Sequence, residues 1–261
     1  MEVIIAADET AIADLAAGAI ESLVRAKPDA VLGLATGSTP LPLYNELVRR
    51  ATDIDFSRVR AVMLDEYLDL PIDHPESYRQ FLLTNFVERI GLPPDRLVGP
   101  EISELGPEVS EAAAAYEQTL RELGGVDLQL LGIGSDGHIG FNEPTSSFGS
   151  RTRMKTLAEA TRRDNARFFN GRLDRVPTHV ITQGIGTILE ARHVILLAVG
   201  GNKAAATAAA VEGPLTAMVP ASALQLHPHA TVLVDQGAAR DLHLREYYEA
   251  TFESKPSWQG L

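Results

Sequence analysis

The chain has no cysteine among its 261 residues, which excludes disulfides, iron–sulfur clusters and thiol catalysis. It has no stretch near the roughly 20 uninterrupted apolar residues of a membrane-spanning helix, and Met1 to Ala19 lack the basic start and apolar block of a secretory signal. Positive charge is scarce: 23 Lys and Arg stand against 35 Asp and Glu, for a formal net charge of −12 and a pI near 5.0. That excludes a broad basic surface for nucleic acid or an anionic membrane, but not a local basic site for a small anion. Three catalytic signatures are also missing: the Gly-Lys-Ser/Thr of a Walker A loop, a Gly-x-Ser-x-Gly elbow and a His-Glu-x-x-His zinc helix. What is present is 45% apolar residues, enough for one large core. The expectation is a soluble, cytoplasmic, single-domain protein over residues 1–261 that acts on a small molecule.

Short β-rich runs alternate with longer helical patterns. Val3–Ala6, Ala30–Leu34, Val59–Leu64, Leu128–Ile133, Val194–Val199 and Thr231–Val234 are mostly continuous apolar runs, as strands covered on both faces require. Ile12, Leu15, Ala16, Ala19, Ile20 and Leu23 recur at helical spacing, as do Leu43, Tyr44, Leu47 and Val48. Thr39 before Pro40 reads as a helix cap followed by the first helical residue, and Lys203–Glu212 reads as a helix stopped by Gly213 and Pro214. This alternation predicts an α/β fold, a layered structure with a mostly parallel central sheet flanked by helices. One segment departs from the average. Residues 151–175 carry eight basic and three acidic side chains, so +5 sits inside a chain of −12. It reads either as a solvated basic helix or as an anion-facing flap.

Four segments could carry chemistry. Thr36-Gly37-Ser38-Thr39-Pro40 lies between a buried strand and a helix, where glycine, hydroxyls and free N–H groups make a phosphate cradle. Asp65-Glu66-Tyr67 follows the third apolar run, at the edge where ligands of open α/β sheets bind; adjacent strand residues point to opposite sides, so one carboxylate at most aims into a site. Gly132 to Pro144 contains a formal Gly-x-Gly-x-x-Gly, but it continues His-Ile-Gly-Phe-Asn-Glu-Pro. A dinucleotide fingerprint needs a helix to begin there, and this is a loop, so no dinucleotide is expected. The loop holds Asp136, His138 and Glu143, a histidine poised near neutral pH with carboxylates close by in sequence, suited to acid–base work or to a plain structural role. Finally, Lys203 follows Gly200-Gly201-Asn202 at a predicted helix start, where a cation opposes the helix dipole unless an anion sits between them.

Several long motifs, in order along essentially the whole chain, resemble the glucosamine-6-phosphate deaminase family. They are Leu34 to Pro40, Leu64 to Tyr67, His74-Pro75-Glu76-Ser77-Tyr78, Gly134 to Pro144, Ser150 to Arg153, Arg167-Phe168-Phe169 and Leu224 to Pro228. The resemblance implies a Rossmann-like fold with no metal or organic cofactor. It implies that Asp65 moves a proton between C2 and C1 of the sugar, and that His138, held by Asp136 and Glu143, opens the pyranose ring. It assigns the phosphate to Thr36, Gly37, Ser38, Thr39, Arg167 and Lys203, and makes residues 151–175 a mobile lid. Ser146, Arg153, Lys155, Thr156 and, less directly, Tyr247 match an allosteric site for N-acetylglucosamine 6-phosphate between subunits, so both a hexamer and a monomer are open. The rivals are 6-phosphogluconolactonase, whose histidine loop lacks the counterparts of Asn142 and Glu143, and a non-catalytic sugar-phosphate sensor. Galactosamine 6-phosphate differs from the gluco substrate at one hydroxyl only.

Overall fold

A computed structural model describes residues 1–101, 105–256 and 258–261. Seven parallel strands form the main sheet: β1 (Glu2–Ile5), β2 (Val31–Leu34), β3 (Arg60–Met63), β5 (Leu97–Val98), β6 (Leu128–Gly132), β9 (His193–Ala198) and β10 (Ala230–Val234). Their order is β1-β10-β9-β6-β2-β3-β5. Alternate strand residues feed two cores. Leu32, Leu34, Leu128, Leu130 and Ile195 pack with α1 (Glu9–Ala26) and α2 (Leu41–Arg50). Val31, Val62, Leu131, Val194 and Val232 pack on the other face with α4 (Val109–Glu122), α6 (Ile185–Ile188) and α7 (Ala204–Val211). Burial on both faces explains why these strands read as unbroken apolar runs rather than as alternating ones.

A second sheet of three antiparallel strands, in the order β4-β8-β7, comes from β4 (Asp65–Tyr67), β7 (Arg153–Thr156) and β8 (His179–Thr182). The predicted strand Val59–Leu64 therefore ends one sheet, and the chain crosses into the other at Leu64. The basic segment is neither a single helix nor a loop: it is β7, the helix α5 (Glu159–Asn165) and short 3₁₀ turns at Ala166–Phe169 and Leu173–Arg175. Phe169, Ala166, Leu157 and Val176 seat it on Tyr67, Phe141 and Val180 in a small core of its own.

The cap expected at Thr39 is not formed. Pro40 occupies the cap position, no side chain caps α2, and the helix proper begins at Leu41. The turn is closed instead by the Leu41 N–H donating to the Ser38 carbonyl. The stop of α7 is as predicted: the helix ends at Val211 and Glu212 caps it, just before Gly213.

Candidate active site

In the main sheet the chain runs from β2 outward through β3 and β5, then returns to β6 on the other side of β2. The crevice at the carboxyl ends of β2 and β6 is thus a topological switch point, the place where α/β sheets bind ligands. All four segments with candidate chemistry meet there. Thr36 to Thr39 leave β2, Gly132 to His138 leave β6, and Lys203 follows β9; Asp65 enters from the crossing to the second sheet. Thr161, Asp164, Asn165, Arg167 and Phe168 of the basic segment close the far wall.

The turn after β2 is shaped to hold an anion. Gly37 has φ +96°, a left-handed conformation costly for any side chain. Among the described residues, the N–H groups of Gly37, Ser38 and Thr39 donate to nothing, so all three remain available at the start of α2. Two cations face the same space. Lys203 is half-buried, and neither it nor Arg167 forms an ion pair among the described residues. Burial, with Arg167 nearby, lowers the Lys203 pKa in spite of Asp164 and Asp136. Arg167 lies with its guanidinium 4.7 Å above the Phe168 ring. Unpaired cations and free N–H groups in one crevice are what a phosphate dianion completes.

Asp65 is 6% exposed, and its carboxylate accepts no hydrogen bond among the described residues. Burial, and then the Glu66 charge beside it, push its pKa well above the usual carboxylate range. Glu66 points the other way. It is also buried, but it accepts from the backbone N–H groups of Tyr67, Tyr78 and Arg79 at 2.8–2.9 Å, capping α3 (Tyr78–Leu82). Of the two adjacent acids, one is structural and the other is left bare in the crevice.

His138 Nδ1 lies 2.6 Å from Asp136 Oδ1, and the His138 N–H donates to the same oxygen. Against the pull of burial, these bonds hold the Asp136 pKa below its ordinary value. An ionised Asp136 at that distance calls for a proton on Nδ1, which leaves Nε2 free to accept one. The ring packs so closely on Gly134 that a Cβ there would meet it at 2.2 Å. The glycines of this loop serve the histidine and the turn, and no helix opens on them. Glu143 does not reach His138. Its carboxylate accepts from the Ala158 N–H at 3.1 Å and from the Thr161 hydroxyl, tying the start of α5 to the histidine loop. The expectation that both acids clamp the histidine is corrected accordingly: the turn that ends at Pro144 aims Glu143 at the basic segment.

Residues 6–233 match the family described as glucosamine-6-phosphate isomerases/6-phosphogluconolactonase. Over the full length of both chains, this sequence is 57% identical to a glucosamine-6-phosphate deaminase of Streptomyces coelicolor and 56% identical to one of Mycolicibacterium smegmatis. A solved monomeric glucosamine-6-phosphate deaminase superposes with a TM-score of 0.88 at 41% identity, covering 92% of this chain and all of that one. The chain belongs to this isomerase and lactonase family. A 6-phosphogluconolactonase from Trypanosoma brucei, 21% identical with a TM-score of 0.76 over 92% of this chain and 98% of its own, shares the fold.

Within this family member the residues matched to an allosteric site separate into two groups. Arg153, half-buried on β7, donates to Asn142 Oδ1 at 2.9 Å and reaches Ser146 Oγ at 3.4 Å. Lys155 and Thr156 follow on the same strand. Tyr247 is 62% exposed on α8 (Arg245–Glu253), a helix that packs on β1 at the far edge of the main sheet. Other polar residues were not singled out from sequence, although the structure gives them partners at the site. Glu117 is buried on α4 and accepts from Arg151, from the Thr152 N–H and hydroxyl, and from Thr187, so it anchors the start of the basic segment. No local signal marks it, because its partners lie at least 34 residues away.

Proposed function

We propose that the chain is a glucosamine-6-phosphate deaminase, converting glucosamine 6-phosphate and water into fructose 6-phosphate and ammonia. The family covers a lactonase as well. The relatives matching at 50–57% over the whole chain are deaminases, whereas the lactonase structures agree at 18–23%. The observation that carries the reading is the bare, buried Asp65 carboxylate sharing one crevice with the Asp136-oriented His138. A lactone hydrolase has no use for a base placed to enolise carbon.

On this reading the phosphate rests on the N–H groups of Gly37, Ser38 and Thr39, with Thr36, Arg167 and Lys203 completing its cradle. His138 Nε2 takes the O1 proton and returns one to O5, which opens the ring. Asp65 then removes the C2 proton, giving an enolamine, and delivers a proton to C1. The resulting C2 imine takes up water and expels ammonia. An aspartate with an ordinary pKa near 3.9 is a weak base for this step; a dry, neighbour-charged site raises its basicity toward the task. Each placed acid or base contributes about 10²- to 10⁴-fold.

Arg153, Ser146, Lys155 and Thr156 are proposed to bind N-acetylglucosamine 6-phosphate as an activator. Arg153 is half-buried, its partners among the described residues are all neutral, and burial lowers its pKa, which favours an anion there. Hyperbolic kinetics unaltered by that ligand would remove this part. The activity itself is tested by ammonia release from purified protein with glucosamine 6-phosphate, its galacto epimer and 6-phosphogluconolactone in parallel. Release from the gluco substrate is expected, and hydrolysis of the lactone alone would overturn the assignment.

A further inference from the structure

We propose that Gln183, a residue outside the crevice, is a positioning residue for Asp65. The inference rests on the deaminase reading and concerns how its base is aimed. Where the chain crosses from β3 to β4 at Leu64, it leaves one sheet before fully joining the other, and its backbone carbonyls need partners that no neighbouring strand supplies. Gln183, directly after β8, supplies them. Its backbone N–H donates to the Leu64 carbonyl at 2.9 Å. Its side-chain Nε2 donates to the Met63 carbonyl at 3.0 Å, which also accepts from the Tyr116 hydroxyl at 2.5 Å. The Gln183 carbonyl in turn accepts from Asn142 Nδ2 at 2.8 Å, while the Thr182 hydroxyl accepts from the Phe141 N–H at 3.2 Å. One dipeptide therefore joins the strand that bears Asp65, whose register partner is Thr182, to the loop that bears His138.

The side chain is costly where it sits. Gln183 is 1% exposed, and its Oε1 is buried with no hydrogen-bond partner among the described residues. A buried orphan acceptor works against folding, so a methionine of similar length would suit the core better. The orphan Oε1 is the part of this residue that the fold does not reward, and Nε2, on the Met63 carbonyl, is the part that acts. Its role is then to fix the Met63–Leu64 backbone, and with it the direction of the next side chain, Asp65.

The test is Gln183→Met beside Tyr116→Phe, each measured for melting temperature, for kcat and KM with glucosamine 6-phosphate, and for exchange of the C2 hydrogen with deuterated solvent. Gln183→Met is expected to melt at or above the wild-type temperature, to hold KM, and to lose kcat and C2 exchange together by about 10- to 100-fold, the scale of a small misplacement of a reacting group. Tyr116→Phe, which leaves Gln183 on the same carbonyl, should lose less. A Gln183→Met protein with wild-type kcat and exchange overturns the inference, as does one whose only change is a lower melting temperature. If the wild-type protein releases no ammonia from the substrate, the functional reading fails first and this inference falls with it.

Discussion

Asp65 and Glu66 are neighbours of the same chemistry with opposite fates, and the difference is backbone geometry. Strand residues alternate sides, so Glu66 receives the Tyr67 N–H and the two N–H groups at the start of α3, and Asp65 receives none among the described residues. Asp65 consequently carries a cost. An acid whose pKa is raised by folding destabilises the protein once it ionises. That cost is absent below about pH 4, where the unfolded chain's aspartate is protonated too. It grows as pH rises toward the folded value and is complete above it. Asp65→Asn should therefore melt higher than wild type at pH 7, by about 1–2 kcal/mol as for other strained functional groups, and level with it near pH 3. Turnover and C2 hydrogen exchange should both be lost. Equal melting at pH 7, or retained exchange, would show that Asp65 is not the buried base. The same raised pKa places the acid limb of the wild-type kcat/KM profile above the usual carboxylate range.

At the scale of elements, the basic segment is held at two points by carboxylates that come from elsewhere. Glu117 binds its beginning at Arg151 and Thr152, and Glu143 caps the start of α5 at Ala158 and Thr161. Since α5 leads directly into Arg167, the position of Glu143 bears on the proposed phosphate site. Glu143→Gln keeps the size of the side chain but weakens a charged cap of about 1 kcal/mol. It should raise KM about fivefold, the equivalent of that energy, with little change in the pH dependence of kcat. If Glu143 instead swings onto His138 during turnover, kcat falls and its pH profile shifts while KM holds, so steady-state kinetics from pH 6 to 9 separates the two roles. Removing a cap at one end of a seven-residue helix acts on binding because the other end of that helix aims the arginine.

For the whole molecule, the parts legible in sequence are those that local pattern decides. The long strands of the main sheet read as apolar runs because both faces are covered, and Thr36–Thr39 read as a turn between strand and helix because glycine and hydroxyls sit there. The second sheet and the short edge strand β5 of the main sheet did not. Asp65–Tyr67 begins with two acids, Arg153–Thr156 alternates half-buried basic and exposed side chains, and Leu97–Val98 is two residues long. Such strands exist only by pairing with partners far along the chain, as β4 does with β8 more than 100 residues on. Which of two adjacent acids faces the crevice, and where Glu143 aims, are decided by the same distant packing. This division has a consequence for ligand binding. The proposed anion cradle belongs to the main sheet at Gly37–Thr39 and Lys203, while Arg167 belongs to the basic segment with a small core of its own, so on the proposed reading a bound phosphate ester spans both. Fructose 6-phosphate added without ammonia should slow amide hydrogen exchange across 159–169 while leaving β9 and β10, buried throughout, unchanged. At 100 times its Kd it should stabilise the fold by about 2.7 kcal/mol. Arg167→Ala should abolish the slowing across 159–169 and retain weakened binding through Lys203 and the turn. Protection that survives Arg167→Ala would mean the segment is ordered by sugar contacts and not by the phosphate, and the arginine would lose its place in the cradle.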